Sequence, residues 1–280
     1  MSDFAKESGH WYAWDGTPKY TITGKNGKER NTTLRDARIG GLVPSVTTIL
    51  KVADKPALNR WKENQILLAA LTLPKVDCET VDEFSYRVWQ DANQQSIDAR
   101  EEGSRIHGAV ESSFLNGESN PEFDVHVNAV HKELSRLYGP QHWQAEKSVV
   151  SNLGYGGKVD LHSIDVVIDY KTKDFVEDNL PNGYDEQCMQ LAAYRNCINP
   201  AAKCANVFIS RNNPGLVHVV EWTEDELQRG FKMFRALLEY WKLQKNYHPT
   251  PTQGGILTTP EREALKSNEM SEARKQVLGE

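Results

Sequence analysis

Cysteine is scarce in this sequence, whose 280 residues include only four, at positions 78, 188, 197 and 204. None of them forms a C-x₂-C pair, the spacing that iron–sulfur and zinc sites commonly use. We therefore expect free thiols and no iron–sulfur cluster. A disulfide framework is not expected in a chain of this size.

The sequence also lacks a hydrophobic run of the length that crosses a membrane, about 20 apolar residues. Residues 1–8 show neither the apolar core of a secretion signal nor an arginine-rich amphipathic pattern. With 39% hydrophobic and 26% charged residues, the composition is ordinary for a globular protein. We expect a cytoplasmic protein with no membrane partner. There is no internal repeat and no Walker loop, so ATP hydrolysis is not expected.

Positive charge is in deficit overall, with a formal net charge of −6. Its distribution is uneven, because residues 17–39 carry a net +4 and residues 78–102 a net −5. Phosphate backbones are met by local patches, so the basic stretch is a candidate nucleic-acid surface, although a solvated hairpin is an equal alternative. Its basic residues are Lys19, Lys25, Lys28, Arg30, Arg35 and Arg38.

Two neighbouring runs, residues 159–162 and 163–171, are typical of β-strands because β-branched residues are enriched there. They predict an antiparallel hairpin. Side chains alternate between the two faces of a strand, so Asp169 and Lys171 share one face. For the same reason, Lys158 lies on the face of Asp160. Two carboxylates and a lysine can then converge, and a hard divalent cation would relieve the repulsion between the carboxylates. Taken alone, an Asp-x-Lys triplet also fits a solvated strand end.

The remaining pattern predicts helices and strands around this hairpin. Trp11 to Thr23, with Asp15-Gly16 and Asn26-Gly27 as turn signals, predicts β-hairpin structure. Thr223 with Glu226 predicts a capped helix with an apolar core stripe. Residues 248–255 are typical of a linker, followed by a charged tail. The predicted helices span 56–72, 79–94, 97–116 and 123–138, and the predicted strands span 143–151, 155–162, 165–171, 205–210 and 217–222.

Several motifs follow one another along the chain. They are the entry segments 43–50 and 58–61, a helix histidine (His107), a strand glutamate (Glu146), Gly157-x-x-Asp160, Asp169-x-Lys171 and Gln190-x-x-x-Tyr194. Singly, each motif also fits a structural role, such as a packed histidine or an ordinary i, i+4 helix pair. Their order resembles the PD-(D/E)XK nuclease superfamily, in particular its RecB-type branch with phage exonucleases and the mitochondrial genome maintenance exonuclease. The resemblance covers about residues 43–210.

The resemblance implies an α/β fold with a three-layer, restriction-endonuclease-like core, in which a mixed central sheet is flanked by helices. It implies three regions. Residues 1–95 form an N-terminal extension of hairpin and helices that can grip DNA. Residues 96–248 form the nuclease core, and residues 249–280 form a linker and charged tail. Some relatives hold an iron–sulfur cluster with four cysteines, but the cysteine spacing here does not indicate one.

The resemblance also implies roles for individual residues around Mg²⁺ or Mn²⁺. Lys171 would position or deprotonate water or offset transition-state charge, and Glu146 would hold a second metal or water. Gln190 and Tyr194 would support the site or touch the DNA backbone. The implied metal ligands are His107, Asp160, Asp169 and the Tyr170 carbonyl, and the implied DNA contacts are Lys158, Tyr194, Arg60 and Lys173.

The sequence is therefore interpreted as a metal-dependent deoxyribonuclease, and specifically as an exonuclease of phage or prophage recombination, repair or replication. Its implied partners are DNA, single-stranded or with a free end, and recombination or replication proteins. Two alternatives stay open: a DNA-binding protein of the same fold without turnover, and a metal-dependent hydrolase of small phosphoesters.

Overall fold

The computed structural model describes residues 9–24, 26–118 and 120–251, without the side chains of residues 57, 58, 95 and 96. In chain order the elements are β1 (Trp11–Tyr12), β2 (Thr21–Thr23), β3 (Glu29–Asn31), α1 (Leu34–Gly40), β4 (Val43–Pro44), α2 (Val46–Leu50), α3 (Pro56–Thr72), α4 (Val81–Leu115), α5 (Asp124–Tyr138), β5 (Gln144–Ser151), β6 (Tyr155–His162), β7 (Val166–Lys173), α6 (Asp185–Ile198), β8 (Lys203–Ser210), β9 (Val217–Trp222) and α7 (Glu224–Lys245).

A mixed five-stranded sheet forms the centre of the molecule, with the strand order β5-β6-β7-β8-β9. Strands β7 and β8 are parallel, and the other neighbouring pairs are antiparallel. A parallel pair needs a crossover connection, and α6 supplies it between β7 and β8. The α/β class and the predicted hairpin of β6 and β7 are both confirmed.

Helices cover both faces of this sheet, because successive side chains of a buried strand point to opposite sides. In β7, Val167 packs into a hydrophobic cluster with residues of α2, α6 and α7. Its neighbour Ile168 packs into a second cluster with residues of α4 and α5. The strand that carries Asp169 and Lys171 is thus enclosed on both sides.

Most predicted elements appear close to their expected bounds. Helix α3, helix α5 and the five strands of the central sheet are confirmed. The capping box of Thr223 and Glu226 begins α7, whose Phe234 and Trp241 are buried as predicted. Within the described residues, no helix is both long and apolar enough to cross a bilayer.

One prediction about elements is wrong. The two helices expected at 79–94 and 97–116 form one continuous helix, α4, because the polar stretch between them contains no glycine or proline to end it. The predicted hairpin structure near the N-terminus is confirmed in part. Around the Asp15-Gly16 turn, Tyr12 forms an antiparallel bridge with Pro18, and β1 also pairs with β4. Strands β2 and β3 pair around Asn26-Gly27.

The N-terminal segment packs onto the rest of the molecule. Trp11 lies in the core cluster, with its ring centroid 6.0 Å from that of Trp241. The predicted boundary between residues 95 and 96 falls inside α4. Of the predicted linker and tail, residues 252–280 lie outside the described residues, as do residues 1–8 and Lys25.

Candidate active site

Strands β6 and β7 separate at the position of the two predicted carboxylates. Their pairing comprises Leu161 with Ile168 and His162 with Val167. The same register would next place Asp160 opposite Asp169. Instead, Asp160 Oδ2 accepts the backbone N–H of Tyr170 at 2.9 Å, so a side chain replaces the main-chain partner. The result is a fork in the sheet with a carboxylate at its base.

Helix α4 brings an imidazole to this fork. His107 Nε2 lies 3.1 Å from Asp160 Oδ2, and the imidazole and the Tyr170 ring are nearly perpendicular, with centroids 5.4 Å apart. The approach of α4 to β7 is close because Gly103 faces Thr172, where an added Cβ would overlap the threonine hydroxyl. Glycine at this position therefore helps to place His107 against the sheet.

Asp169 is buried, with 2% of the residue exposed, and it is held by two donors. Lys171 Nζ lies 2.6 Å from its Oδ2, as the period-2 alternation predicts. Asn206, its neighbour on β8, donates to the same oxygen at 2.7 Å. The Asn206 amide is itself fixed, because its oxygen accepts the indole N–H of Trp222 at 2.8 Å. A buried carboxylate is stable only with such partners.

The four ionisable groups of the fork shift each other's pKa values. Burial raises the pKa of Asp169 to about 6, with Lys171 opposing and Asp160 adding to the rise. Burial also acts upward on Asp160, but the hydrogen bond and charge of His107 hold its pKa below the usual value. Burial opposes the charge on His107 and Lys171, yet the neighbouring carboxylates raise the pKa of both. Cationic partners thus oppose the effect of burial on both carboxylates, and they outweigh it only at Asp160.

Glu146 lies on β5 beside Asp160 in an uncommon backbone conformation. The residues on either side of it pair regularly, Ala145 with Leu161 and Lys147 with Val159, but Glu146 itself has φ +56°. A non-glycine residue in the left-handed region costs free energy and is enriched at functional sites. The Glu146 carboxylate forms an ion pair with Lys158. Lys158, which was predicted to lie on the face of Asp160, is thus paired with a carboxylate of β5.

The Gln190 and Tyr194 pair lies behind β6. Tyr194 is buried, with 3% exposed, and an added Cβ at Gly157 would overlap its ring. Gln190 Nε2 donates to the Tyr194 hydroxyl at 3.4 Å. Of the two roles inferred for Tyr194, support of the site and contact with DNA, its burial favours support.

The other predicted DNA contacts lie outside the fork. Arg60 is exposed on α3, and Lys173 at the end of β7 lies over the Tyr184 ring, 5.8 Å from its centroid. In the basic stretch, Arg30 pairs with Asp36, and Arg38 donates to the Lys245 carbonyl. Two of its guanidinium groups are therefore already engaged within the protein.

A cleft of about 370 Å³ opens from the fork between α4 and β7. Sequence reasoning missed two residues here. Glu111, one turn beyond His107, was signalled by i, i+4 spacing on the same helix face. Asn206 had no local signal, because only the parallel pairing of β7 with β8 brings it to Asp169. The cleft is lined by Arg100, Gly103, Ser104, His107, Gly108, Glu111, Tyr170, Lys171 and Thr172.

The donor set fits a hard divalent cation. The 3.1 Å separation of His107 Nε2 and Asp160 Oδ2 matches the about 3 Å expected between adjacent ligands of an octahedral cation with bonds of about 2.1 Å. Carboxylate oxygen and imidazole nitrogen suit Mn²⁺ and Mg²⁺. Among the described residues, however, no three His, Cys, Asp or Glu side chains already form a complete cluster. Asp169 is turned toward Lys171 and Asn206.

Comparison with known proteins gives similarity to solved structures alone. No protein-family model matches the chain, and no curated protein matches it. A candidate exonuclease of Eubacterium rectale is 12% identical, with a TM-score of 0.39, over 57% of this chain and 74% of that one. An alkaline exonuclease of Laribacter hongkongensis is 11% identical, with a TM-score of 0.29, over 67% of this chain and 98% of that one. Such low scores do not establish a shared fold.

Proposed function

We propose that this protein is a divalent-cation-dependent nuclease that hydrolyses phosphodiester bonds in DNA. The observation that carries the proposal is the fork between β6 and β7, where the buried carboxylate of Asp169 and the partly buried carboxylate of Asp160 meet an imidazole and a lysine. This combination provides oxygen and nitrogen ligands for a cation and an ammonium group beside them. The motifs that supply these residues are the ones whose order resembles the PD-(D/E)XK nucleases.

In this proposal, Asp160, Asp169, His107 and the Tyr170 carbonyl hold Mg²⁺ or Mn²⁺. The cation supplies Lewis-acid chemistry to a scissile phosphate and its attacking water. Asp169 would bind the cation with lone pairs that its hydrogen bonds to Lys171 and Asn206 leave free. Asn206 keeps the carboxylate oriented, because its own amide is fixed by Trp222.

Lys171 stabilises the negative charge that grows on the phosphate oxygens during in-line attack. Its ammonium is positioned by Asp169 at 2.6 Å. An ammonium carries three donors, so one can remain on Asp169 while another faces phosphate or water. Preorganised donors of this kind often contribute the largest single part of catalysis. Glu146, which the register of β5 with β6 places opposite Asp160, is proposed to hold a second cation or a water.

The proposal of exonuclease activity rests on a helical hairpin, which α3 and the first half of α4 form. One end of this hairpin is tied beside the site, since Lys55, just before α3, pairs with Glu186 of α6 at 2.7 Å. Its other helix, α4, continues directly to His107. Most side chains of α3 are exposed, including Arg60. A projecting hairpin beside the cleft favours entry of a free DNA end, single-stranded or frayed.

The test is digestion of end-labelled single- and double-stranded DNA by the purified chain with Mg²⁺, Mn²⁺ or EDTA. Cleavage is expected with either cation and is expected to stop in EDTA. Lys171→Ala should lower the rate at least about 100-fold, because a transition-state donor is lost. The matched control Lys203→Ala removes an exposed lysine at the start of β8 and should cleave at the wild-type rate.

Two results would reject the proposal. Undiminished cleavage in EDTA would exclude the cation, and equal rates for Lys171→Ala and Lys203→Ala would exclude the fork as the active site. Hydrolysis of mononucleotide esters without cleavage of DNA would instead support a small-phosphoester hydrolase at the same fork.

A further inference from the structure

The imidazole of His107 lies between two carboxylates. Its Nε2 is 3.1 Å from Asp160 Oδ2, and its Nδ1 is 3.8 Å from Glu111 Oε2. Glu111 follows His107 by one helical turn on α4, so both side chains leave the same face of the helix. The two ring nitrogens therefore face different acceptors, one in the fork and one on the helix.

In a neutral imidazole, one ring nitrogen carries the proton and can donate a hydrogen bond. The other nitrogen carries a free lone pair and can bind a cation. A nitrogen that binds a cation must present its lone pair, so the proton must be on the other nitrogen. Metal-binding histidines generally donate that second N–H to a carboxylate or carbonyl, which fixes the tautomer and the ring orientation. In this site the acceptor facing the second nitrogen is Glu111.

We propose that Glu111 is a positioning residue that holds His107 with its proton on Nδ1 and directs the Nε2 lone pair at the cation. The inference rests on the cation site of the proposed function. It adds a residue that does not touch the cation, and it predicts that the affinity for the cation depends on Glu111.

The surroundings of Glu111 distinguish it from an ordinary surface partner of His107. An exposed i, i+4 pair contributes only about 0.3–0.5 kcal/mol. The side chain of Glu111 is only 23% exposed, and it lines the cleft. Tyr170 lines the same cleft, and its buried hydroxyl has no hydrogen-bond partner among the described residues. Glu111 therefore belongs to the wall of the site.

The backbone of α4 also fixes the height of Glu111 above the sheet. Gly103 packs directly against Thr172, so the helix cannot slide along β7 without losing this contact. His107 and Glu111 lie one and two turns beyond Gly103. A rigid helix thereby delivers both members of the pair, as a preorganised site requires.

The test measures binding of Mn²⁺ to the full chain, by the electron paramagnetic resonance signal of free Mn²⁺. Glu111→Ala is expected to weaken binding by about 10–100-fold, the range seen when such an acceptor is removed. Glu111→Gln keeps an acceptor oxygen and should lose less. The matched control Glu101→Gln changes an exposed glutamate on the same helix and should bind as the wild type does. Thermal denaturation verifies that all variants are folded.

A second readout follows the proton itself. In the Mg²⁺-loaded protein, ¹⁵N nuclear magnetic resonance should show His107 protonated at Nδ1, with its signal assigned by a His107→Gln variant. Glu111→Ala should weaken or mix that signature. A proton on Nε2 in the loaded wild type would overturn the inference, as would equal Mn²⁺ affinities for Glu111→Ala and Glu101→Gln.

These outcomes separate the inference from the proposed function. If Mn²⁺ affinity depends on Glu111 but DNA is not cleaved, the nuclease proposal fails and the role of Glu111 stands. If DNA is cleaved in a cation-dependent way and Glu111→Ala binds Mn²⁺ normally, the role of Glu111 fails alone.

Discussion

Gly157 shows how a single residue fixes the packing behind the candidate site. An added Cβ at this position would overlap the ring of Tyr194, which is buried in the core. Gly157→Ala should therefore lower the free energy of unfolding by about 1–3 kcal/mol, the usual cost of overpacking. Urea denaturation of Gly157→Ala and the wild type measures this difference in the free energy of unfolding.

The matched control for Gly157→Ala is Gly108→Ala, because nothing lies within 4 Å of a Cβ added at Gly108. Alanine is the better helix former by about 1 kcal/mol, so this variant should be as stable as the wild type or more stable. Equal stabilities for Gly157→Ala and the wild type would show that the Tyr194 ring can move.

The burial of His126 predicts that the protein becomes less stable as the pH falls. It is 6% exposed, and neither ring nitrogen has a hydrogen bond of good geometry among the described residues. Burial lowers its pKa, with weaker opposition from the Ser210 backbone and the charge of Glu102. The unfolded chain then binds the proton more readily than the folded one. The contribution of neutral His126 to the free energy of unfolding is therefore fully present above the pKa of the unfolded chain, about 6.5. It is lost as the pH falls through the lower pKa of the folded protein.

The measurement is the melting temperature between pH 7.5 and pH 5. His126→Leu should show a smaller fall in melting temperature than the wild type over this range, because the buried group no longer titrates. His142→Gln, at an exposed position, should leave the fall unchanged. A fall as steep in His126→Leu as in the wild type would contradict the prediction.

At the scale of elements, two helices with similar apolar content have opposite surroundings. Leu238 of α7 is 1% exposed, whereas Leu71 of α3 is 76% exposed. Leu238→Ala should cost about 2–5 kcal/mol, from lost transfer energy and the cavity left behind. Leu71→Gln should change stability by less than about 0.5 kcal/mol.

Chemical denaturation of both variants checks this contrast. A large loss for Leu71→Gln would mean that α3 packs against something else in solution. Loss of DNA cleavage in Leu71→Gln without loss of stability would instead place the hairpin in the proposed path of the substrate.

At the scale of the whole molecule, the predicted requirement for a free end follows from the position of the α3 and α4 hairpin beside the cleft. Linear single-stranded DNA should be degraded, and covalently closed circular single-stranded DNA of equal length should resist. Comparable degradation of the circle would mean that strands reach the fork from the side. Salt should weaken binding, because lysines and arginines meet the phosphates locally despite the net charge of −6.

The sequence by itself determined those features that depend on local chemistry. The alternation in β6 and β7 fixed the strands and placed Lys171 beside Asp169, because side-chain direction has period 2 along any strand. The Thr223 and Glu226 capping box fixed the start of α7 in the same local way. The core stripe of α7 followed from helical spacing.

Only the tertiary structure decided which distant groups share the fork. Asn206 reaches Asp169 through the parallel pairing of β7 with β8, and His107 reaches Asp160 because α4 packs on β7. The positive φ of Glu146 and the opening of the strands at Asp160 are likewise products of the assembled sheet. Local patterns do not contain this information, because strand pairing and helix packing are set by contacts between residues far apart in the chain.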